Sequence, residues 1–250
     1  MPGLTRKLAL DVPRRLAEYP RLSIGARRAR RALRAQRATL AGPGDAVDFI
    51  SGFRCGDVTV PLVQVRSEIV QLLELLEQEK PHVVLEIGTA GGGTLFLFAQ
   101  VAASDATLIS IDLADRLFGG GYHVSRKVLY KGFARGQQAI ELVRASSHDP
   151  RTGEEVERIL QGRPVDFLFI DGDHTYEGVR QDYLDYRGLV RPGGLIAFHD
   201  IVPYPPRPES VGGVPDFWQE LEAEGETSTF VDPTGDGGFG IGLVRRVPYE

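Results

Sequence analysis

Leu85-Glu86-Ile87-Gly88-Thr89-Ala90-Gly91-Gly92-Gly93-Thr94 decides how this chain folds. Val83 to Ile87 is a short apolar run that stops at a glycine, the pattern of a strand, and Thr94 to Ala103 is apolar over a helical length. Between them, glycines let the backbone turn sharply and approach a ligand with no Cβ in the way. A strand that hands over to a helix in this manner is the opening unit of a parallel α/β sheet.

The alternation continues downstream. Thr107 to Ile111 reads as a second strand ending in Asp112, and Ile140 to Ala145 as a third. Val165 to Ile170 is a fourth, with the near-continuous apolar character of a strand buried on both faces, and Gly194 to Phe198 is a fifth. Helices are expected over residues 126–138, Arg151 to Leu160, Tyr176 to Leu189, and Val214 to Glu224, which carries the only tryptophan, Trp218. Thr227 to Val231 and Gly238 to Arg245, with no helix between them, should pair antiparallel. Upstream, Ile69, Leu72, Leu73 and Leu76 recur at helical spacing with Glu68, Glu74, Glu77 and Lys80 on the other face, and Pro81 stops that helix. The expected fold is doubly wound α/β: a mostly parallel, seven-stranded, Rossmann-like sheet with a C-terminal antiparallel strand and an N-terminal helical extension.

Charge divides the chain. Residues 1–40 carry eleven Lys or Arg against Asp11 and Glu18, a balance of +9, so the remainder carries −14. Arg27, Arg28, Arg30, Arg31, Arg34 and Arg37 alternate with alanines and Leu33, which reads as a basic helix, and Gly42 to Asp45 reads as the turn that follows it. The expected organisation is a basic helical leader over residues 1–45 and a single α/β domain over 46–250. Such a leader either binds an anionic surface or nucleic acid, or packs on the domain or on a sister subunit. Packing is preferred and no nucleic-acid partner is expected, because no aromatic residues interleave the arginines. A homo-oligomer formed through this extension is left open. Cys55 is the single cysteine, which excludes an internal disulfide and a zinc–thiolate cluster. No apolar run reaches the ~18 residues of a membrane span and no secretory signal is visible, so the expected location is cytoplasmic.

A glycine-rich turn alone is a weak sign of function, since dinucleotide enzymes use one too. The acids around it say more. A carboxylate at Glu86 would repel pyrophosphate, whereas a cofactor with an ammonium and a sulfonium, such as S-adenosylmethionine, would tolerate it. Asp112 lies 24 residues beyond Gly88 at the end of the next strand. That offset, near the usual ~20 residues, suits a carboxylate that accepts from both ribose hydroxyls. The alternative is a pair of solvated acids at strand ends.

With these residues in view, Glu86 to Thr94 resembles the first motif of class I S-adenosylmethionine-dependent methyltransferases, and Asp112 resembles their second-strand acid. Ala145-Ser146-Ser147-His148 is similar to the adenine-side loop of the catechol and caffeoyl-CoA O-methyltransferases. The resemblance covers about residues 66–245 and implies cofactor contacts at Glu86, Gly88, Thr89, Ala90, Gly91, Thr94, Asp112, Ser146, Ser147 and Asp171.

A second informative segment, Phe169-Ile170-Asp171-Gly172-Asp173-His174-Thr175-Tyr176, follows the fourth strand, and Phe198-His199-Asp200 follows the fifth. Neighbouring strand ends thus offer Asp171, Asp173, His199 and Asp200 at the carboxyl edge of the sheet, an oxygen-rich set that suits Mg2+ or a similar divalent cation. This pattern resembles the metal-dependent O-methyltransferases that modify macrolide sugars and the cephalosporin-tailoring proteins. The resemblance implies Asp171 and Asp200 as metal ligands, His199 in the adjoining ligand position and His174 as general base. Two bland alternatives stand beside it: His174 as a helix-start residue and Asp173 as a helix cap. The expected activity is methyl transfer to a hydroxyl of a small molecule, a sugar or a natural-product intermediate. A nicotinamide-dependent oxidoreductase and a non-catalytic cofactor-binding protein are the competing classes. Leu189 to Gly194 is expected to be a plain turn, and His82 and Cys55 to be structural. Gly119 to His123 reads as a lid or a flexible loop, and Pro203, Pro205, Pro206 and Pro208 as a wall of the acceptor pocket.

Overall fold

A computed structural model describes residues 22–114, 121–203, 212–234 and 239–247. Its centre is a seven-stranded sheet of β3 (Val83–Ile87), β4 (Thr107–Asp112), β5 (Ala139–Arg144), β6 (Val165–Ile170), β7 (Val190–His199), β8 (Thr227–Phe230) and β9 (Ile241–Arg245). A separate two-residue hairpin pairs β1 (Arg54–Cys55) with β2 (Val58–Thr59). The order across the large sheet is β5-β4-β3-β6-β7-β9-β8, parallel from β5 to β7, with β9 antiparallel to both of its neighbours. The chain leaves β3 toward β4 and β5 and then crosses back to place β6 on the other side of β3. The crevice above the carboxyl ends of β3 and β6 is therefore the topological switch point at which open α/β sheets bind ligands.

Strand periodicity divides the core into two layers. On one side Val84, Leu108, Phe167, Phe169, Leu195 and Ala197 meet α2 (Pro43–Gly52), α3 (Arg66–Glu79) and α4 (Gly93–Val101). Phe98 of α4 packs edge-on against Phe167 and Phe169 there. On the other side Leu85, Ile87, Ile109, Ile111, Leu168, Ile170, Ile196 and Phe198 meet α6 (Pro150–Leu160), α7 (Tyr176–Tyr186) and α8 (Val214–Glu224). Trp218 belongs to this second layer, and its ring lies where a side chain at Gly242 would intrude. Among the described residues no helix is long and apolar enough to cross a membrane.

The arginine-rich segment forms a helix, α1, over residues 22–36. Ala26, Ala29 and Leu33 are buried in the first layer, while Arg27, Arg28, Arg31 and Arg34 face outward. Arg34 and Arg37 donate to the carbonyls of Gly132, Phe133 and Ala134. The packing alternative for this segment thus holds within the described residues.

Several sequence expectations need correcting. Residues 126–138 do not form one helix. A 3-10 turn at Val124–Arg126, a four-residue helix α5 (Lys127–Tyr130) and a 3-10 turn at Lys131–Phe133 take its place, ended by Gly136 in the left-handed region and by the arginines that capture the freed carbonyls. Gly42 to Asp45 is the start of α2, because Pro43 at its first turn suits a helix and Pro43, Ala46, Val47 and Ile50 are buried. The fifth strand begins at Val190 rather than Gly194. Its register against β6 slips between Val165↔Val190 and Phe167↔Leu195, so the intervening residues bulge, and Gly193 and Gly194 pair with Arg246 instead. Glu68 points inward, not to solvent: its carboxylate accepts from the backbone N–H groups of Asp232 and Gly240 at 3.0 Å each, tying the ends of the β8–β9 connection to α3. Helical spacing could not show this, because the partners lie far along the chain.

Leu33→Ala removes a fully buried side chain that joins α1 to the core. The expected loss is about 2–5 kcal/mol, read as a lower urea midpoint with an unchanged slope. An unaltered midpoint would mean that α1 is not part of the cooperative unit.

Candidate active site

At the switch point β3 and β6 nearly touch through their backbones. Asp171 N–H donates to the Ile87 carbonyl at 2.8 Å, and Gly88 N–H donates to Ile111 across β4 at 2.9 Å. A Cβ on Gly88, whose φ is +101°, would sit 2.0 Å from the Asp171 carbonyl oxygen, so only glycine fits. The glycines that follow are set by neighbours of the turn. Side chains at Gly91 or Gly93 would strike Pro61, and one at Gly92 would strike the Tyr130 ring. Tyr130 also donates its hydroxyl to the Ala90 carbonyl at 2.9 Å.

Glu86 does not open into the crevice. Its oxygens accept from the hydroxyls of Thr94 and Ser110, Ser110 in turn meets Thr89, and all four residues are buried. Burial pushes the Glu86 carboxyl up to about 8, against the opposing pull of those hydroxyl bonds, so it is mostly uncharged near neutral pH. The charge repulsion expected between Glu86 and a pyrophosphate is accordingly not supplied by this geometry; Glu86 and Thr94 brace the turn from within.

Asp112 stands at the end of β4 with its carboxylate facing the turn. It accepts from Ala90 N–H at 2.6 Å and from Leu113 N–H at 2.7 Å. Burial raises its pKa while these backbone donors, with Gly121, pull the other way. Ala90 itself is held at φ +39°. Gly88, Thr89, Ala90, Gly91 and Asp112 thus lie together at one rim, with Thr89 turned inward to Ser110. Ser146 and Ser147 follow β5 in a loop anchored by Tyr186, whose hydroxyl donates to the Ser147 carbonyl at 2.8 Å. In that loop the His148 Nε2 lies 3.0 Å from the buried Asp182, which raises the His148 pKa.

The second rim gathers two carboxylates and two imidazoles. His174 Nδ1 lies 2.8 Å from Asp200 Oδ2, and His174 Nε2 lies 3.3 Å from Asp171 Oδ1. His199 Nδ1 lies 3.2 Å from Asp171 Oδ1 and 3.5 Å from Asp200 Oδ1. Burial alone would raise Asp171, but His199 and His174 outweigh it and hold the carboxyl well below the usual range. For His174, burial acts downward and is overcome by the hydrogen bonds to Asp171 and Asp200, which raise it to about 10. Ligand atoms of Asp171, His174 and Asp200 lie within 4.8 Å of one another, a spacing and chemistry that fit a divalent cation. Asp173 is not in this group. It accepts from the N–H and hydroxyl of Thr175, and Thr175, rather than Asp173 or His174, is the residue that caps α7.

Some site residues carried no sequence signal. Gln64, in the segment before α3, donates to Asp171 Oδ2 at 2.8 Å, yet no motif surrounds it. Ser110 was accessible in principle, since it lies two residues before Asp112 on the same strand face. His82 has an exposed ionic partner in Asp105. Residues 115–120 and 204–211, which include Gly119, Gly120, Pro205, Pro206 and Pro208, lie outside the described residues.

Sheet order, with the glycine turn and strand-end acids at one edge, is that of a Rossmann-like methyltransferase fold. Residues 85–201, a little under half of the chain, match the methyltransferase-domain family. R132, an uncharacterized protein of Acanthamoeba polyphaga mimivirus, is 32% identical over 141 residues, 56% of this chain and 60% of that one. A rhamnosyl O-methyltransferase of Mycobacterium tuberculosis is 26% identical over 135 residues, 54% of this chain and 51% of that one. The chain spans 16% to 60% of the length of these and another curated relative it matches. Among solved structures, an O-methyltransferase from Bacillus cereus in complex with S-adenosylhomocysteine superposes with a TM-score of 0.57 at 16% identity, over 85% of this chain and 96% of that one. This last likeness concerns the fold.

The buried Glu86 makes stability depend on pH. Its folded pKa of about 8 exceeds the ordinary value of 4.5, so the folded state retains the proton through that window. Its contribution is complete below the ordinary value and is lost as pH rises toward 8. Glu86→Gln should therefore melt at a temperature that varies less across this range than wild type does. An equally steep dependence in the variant would assign the effect to another group.

Proposed function

We propose that this protein transfers the methyl group of S-adenosylmethionine to a hydroxyl of a small molecule, a sugar or a natural-product intermediate, with a divalent cation assisting. The observation that carries the reading is the meeting of two rims at one switch point: the Gly88–Asp112 turn on one side, and Asp171, His174, His199 and Asp200 on the other. The relative named as a rhamnosyl O-methyltransferase supports a sugar hydroxyl as acceptor.

Each residue has a physical task in this reading. Asp112 accepts from the ribose hydroxyls, exchanging its bond to Ala90 N–H for them. The turn backbone carries the cofactor's amino-acid end, with the ionised Asp171 following the neighbouring strand, and Ser146 and Ser147 line the adenine side. Asp171 and Asp200, with His199 beside them, would hold the cation. When bound, that cation orients the acceptor hydroxyl, makes it more acidic and offsets the charge of the two carboxylates. His174 stands against both carboxylates and is the imidazole placed to take the hydroxyl proton. It can accept one only when those carboxylates are engaged elsewhere, since otherwise they keep it protonated. Methyl transfer itself requires the oxygen in line with the sulfonium carbon, which is largely a matter of positioning.

Calorimetric titration with S-adenosylhomocysteine, with NAD+ as control, tests the cofactor assignment. Saturable binding of the first alone is expected, and the reverse preference would overturn the reading. Asp112→Asn should weaken S-adenosylhomocysteine binding about 10- to 150-fold, the equivalent of about 1.5–3 kcal/mol for a charged hydrogen bond. His174→Gln should bind it nearly as well as wild type, yet lose about 10²–10⁴-fold in methyl transfer to an acceptor found by screening hydroxylated compounds. Full turnover in that variant would remove His174 from the chemistry.

A further inference from the structure

His199 differs from the other members of the second rim in being locked. Its side chain is 2% exposed, its backbone pairs with Ile241 of β9, and its ring stacks on Phe239 with centroids 5.5 Å apart and planes 25° apart. That clamp leaves Nδ1 turned toward two carboxylate oxygens, 3.2 Å away on Asp171 and 3.5 Å away on Asp200. A single N–H can bond only one of them well. Nε2 is buried on the far side of the ring with no hydrogen-bond partner among the described residues. A nitrogen fixed between two carboxylates has the arrangement of a third metal ligand, and the free Nε2 would then carry the ring proton.

We propose that His199 binds the cation of this site through Nδ1, and that the centre consequently selects an imidazole-accepting transition-metal ion, such as Co2+, Zn2+ or Fe2+, over Mg2+. The inference rests on the cation-assisted reading above and goes beyond it by naming the class of ion. Mg2+ favours oxygen donors and octahedral sites rich in water, whereas imidazole nitrogen favours the later divalent metals. Two carboxylates also balance the charge of a divalent ion without a third anion, so a neutral imidazole completes the set. A carboxylate in place of His199 would return the site to oxygen-only donors.

The test is direct metal binding by the whole chain, read by calorimetry with Mg2+, Zn2+ and Co2+, together with proton NMR of the Co2+-loaded protein. All later metals bind most sites more tightly than Mg2+, so the change on mutation decides the matter. His199→Glu should shrink the ratio of Co2+ to Mg2+ affinity by about tenfold or more. Wild type should show a paramagnetically shifted, exchangeable imidazole N–H resonance that is missing in His199→Gln and present in His174→Gln. An unchanged affinity ratio, or a shifted N–H that survives in His199→Gln, would overturn the proposal. If neither His199 variant folds, histidine-selective 15N labelling of wild type decides: no Co2+-shifted histidine N–H refutes nitrogen ligation. S-adenosylhomocysteine titration of the same preparation separates the failures. Cofactor binding without any ion overturns the metal proposal alone, and loss of both overturns the methyltransferase reading with it.

Discussion

The backbone of Gly88 lies against the backbone of Asp171, and everything functional in this molecule is placed relative to that contact. Ile87 and Asp171 share a hydrogen bond, Gly88 reaches across to Ile111, and no side chain fits between. Three strands are thereby locked in register at the edge where their polar residues emerge. Because β3 and β6 diverge in their connections there, the loops above them part and leave a crevice. The turn and Asp112 line one side of it, and the Asp171 cluster the other.

Around that contact the charges are sorted by depth. Glu86, enclosed by Thr94 and Ser110, is kept neutral near physiological pH and serves as a hydrogen-bonded brace. Asp171, less deeply buried and flanked by two imidazoles, is kept ionised. Two carboxyls about one strand apart are driven in opposite directions by their partners, hydroxyls in one case and histidines in the other. Negative charge in the crevice is consequently held at Asp171 rather than at the acid of the glycine motif.

The arginine-rich helix contributes from outside. Its apolar side enters the core through Ala26, Ala29 and Leu33, and Arg34 and Arg37 hold the carbonyls at the end of the α5 segment. That segment presents Tyr130, whose ring covers Gly92 and whose hydroxyl bonds to Ala90. A chain of contacts therefore runs from the basic surface to the backbone of the glycine turn. These arginines are partly structural, a role their charge alone did not suggest.

The sequence by itself determined the layering of strands and helices, the place of the glycine turn, and the strand-end positions of Asp112, Asp171, His174, His199 and Asp200. These follow from local periodicity and from the rule that strand ends of a parallel sheet share one edge, so neighbouring residues carry the information. Only the tertiary structure decided what each polar group touches. It turned Glu68 inward to the β8–β9 connection, closed Glu86 under Ser110, brought Gln64 onto Asp171 and separated Asp173 from the cluster it seemed to join. It also broke the expected helix over 126–138 at the point where α1 supplies arginines. Burial and hydrogen-bond partnership depend on residues up to 172 positions apart. No local pattern records such distances, whereas a strand or a turn is written within a few residues.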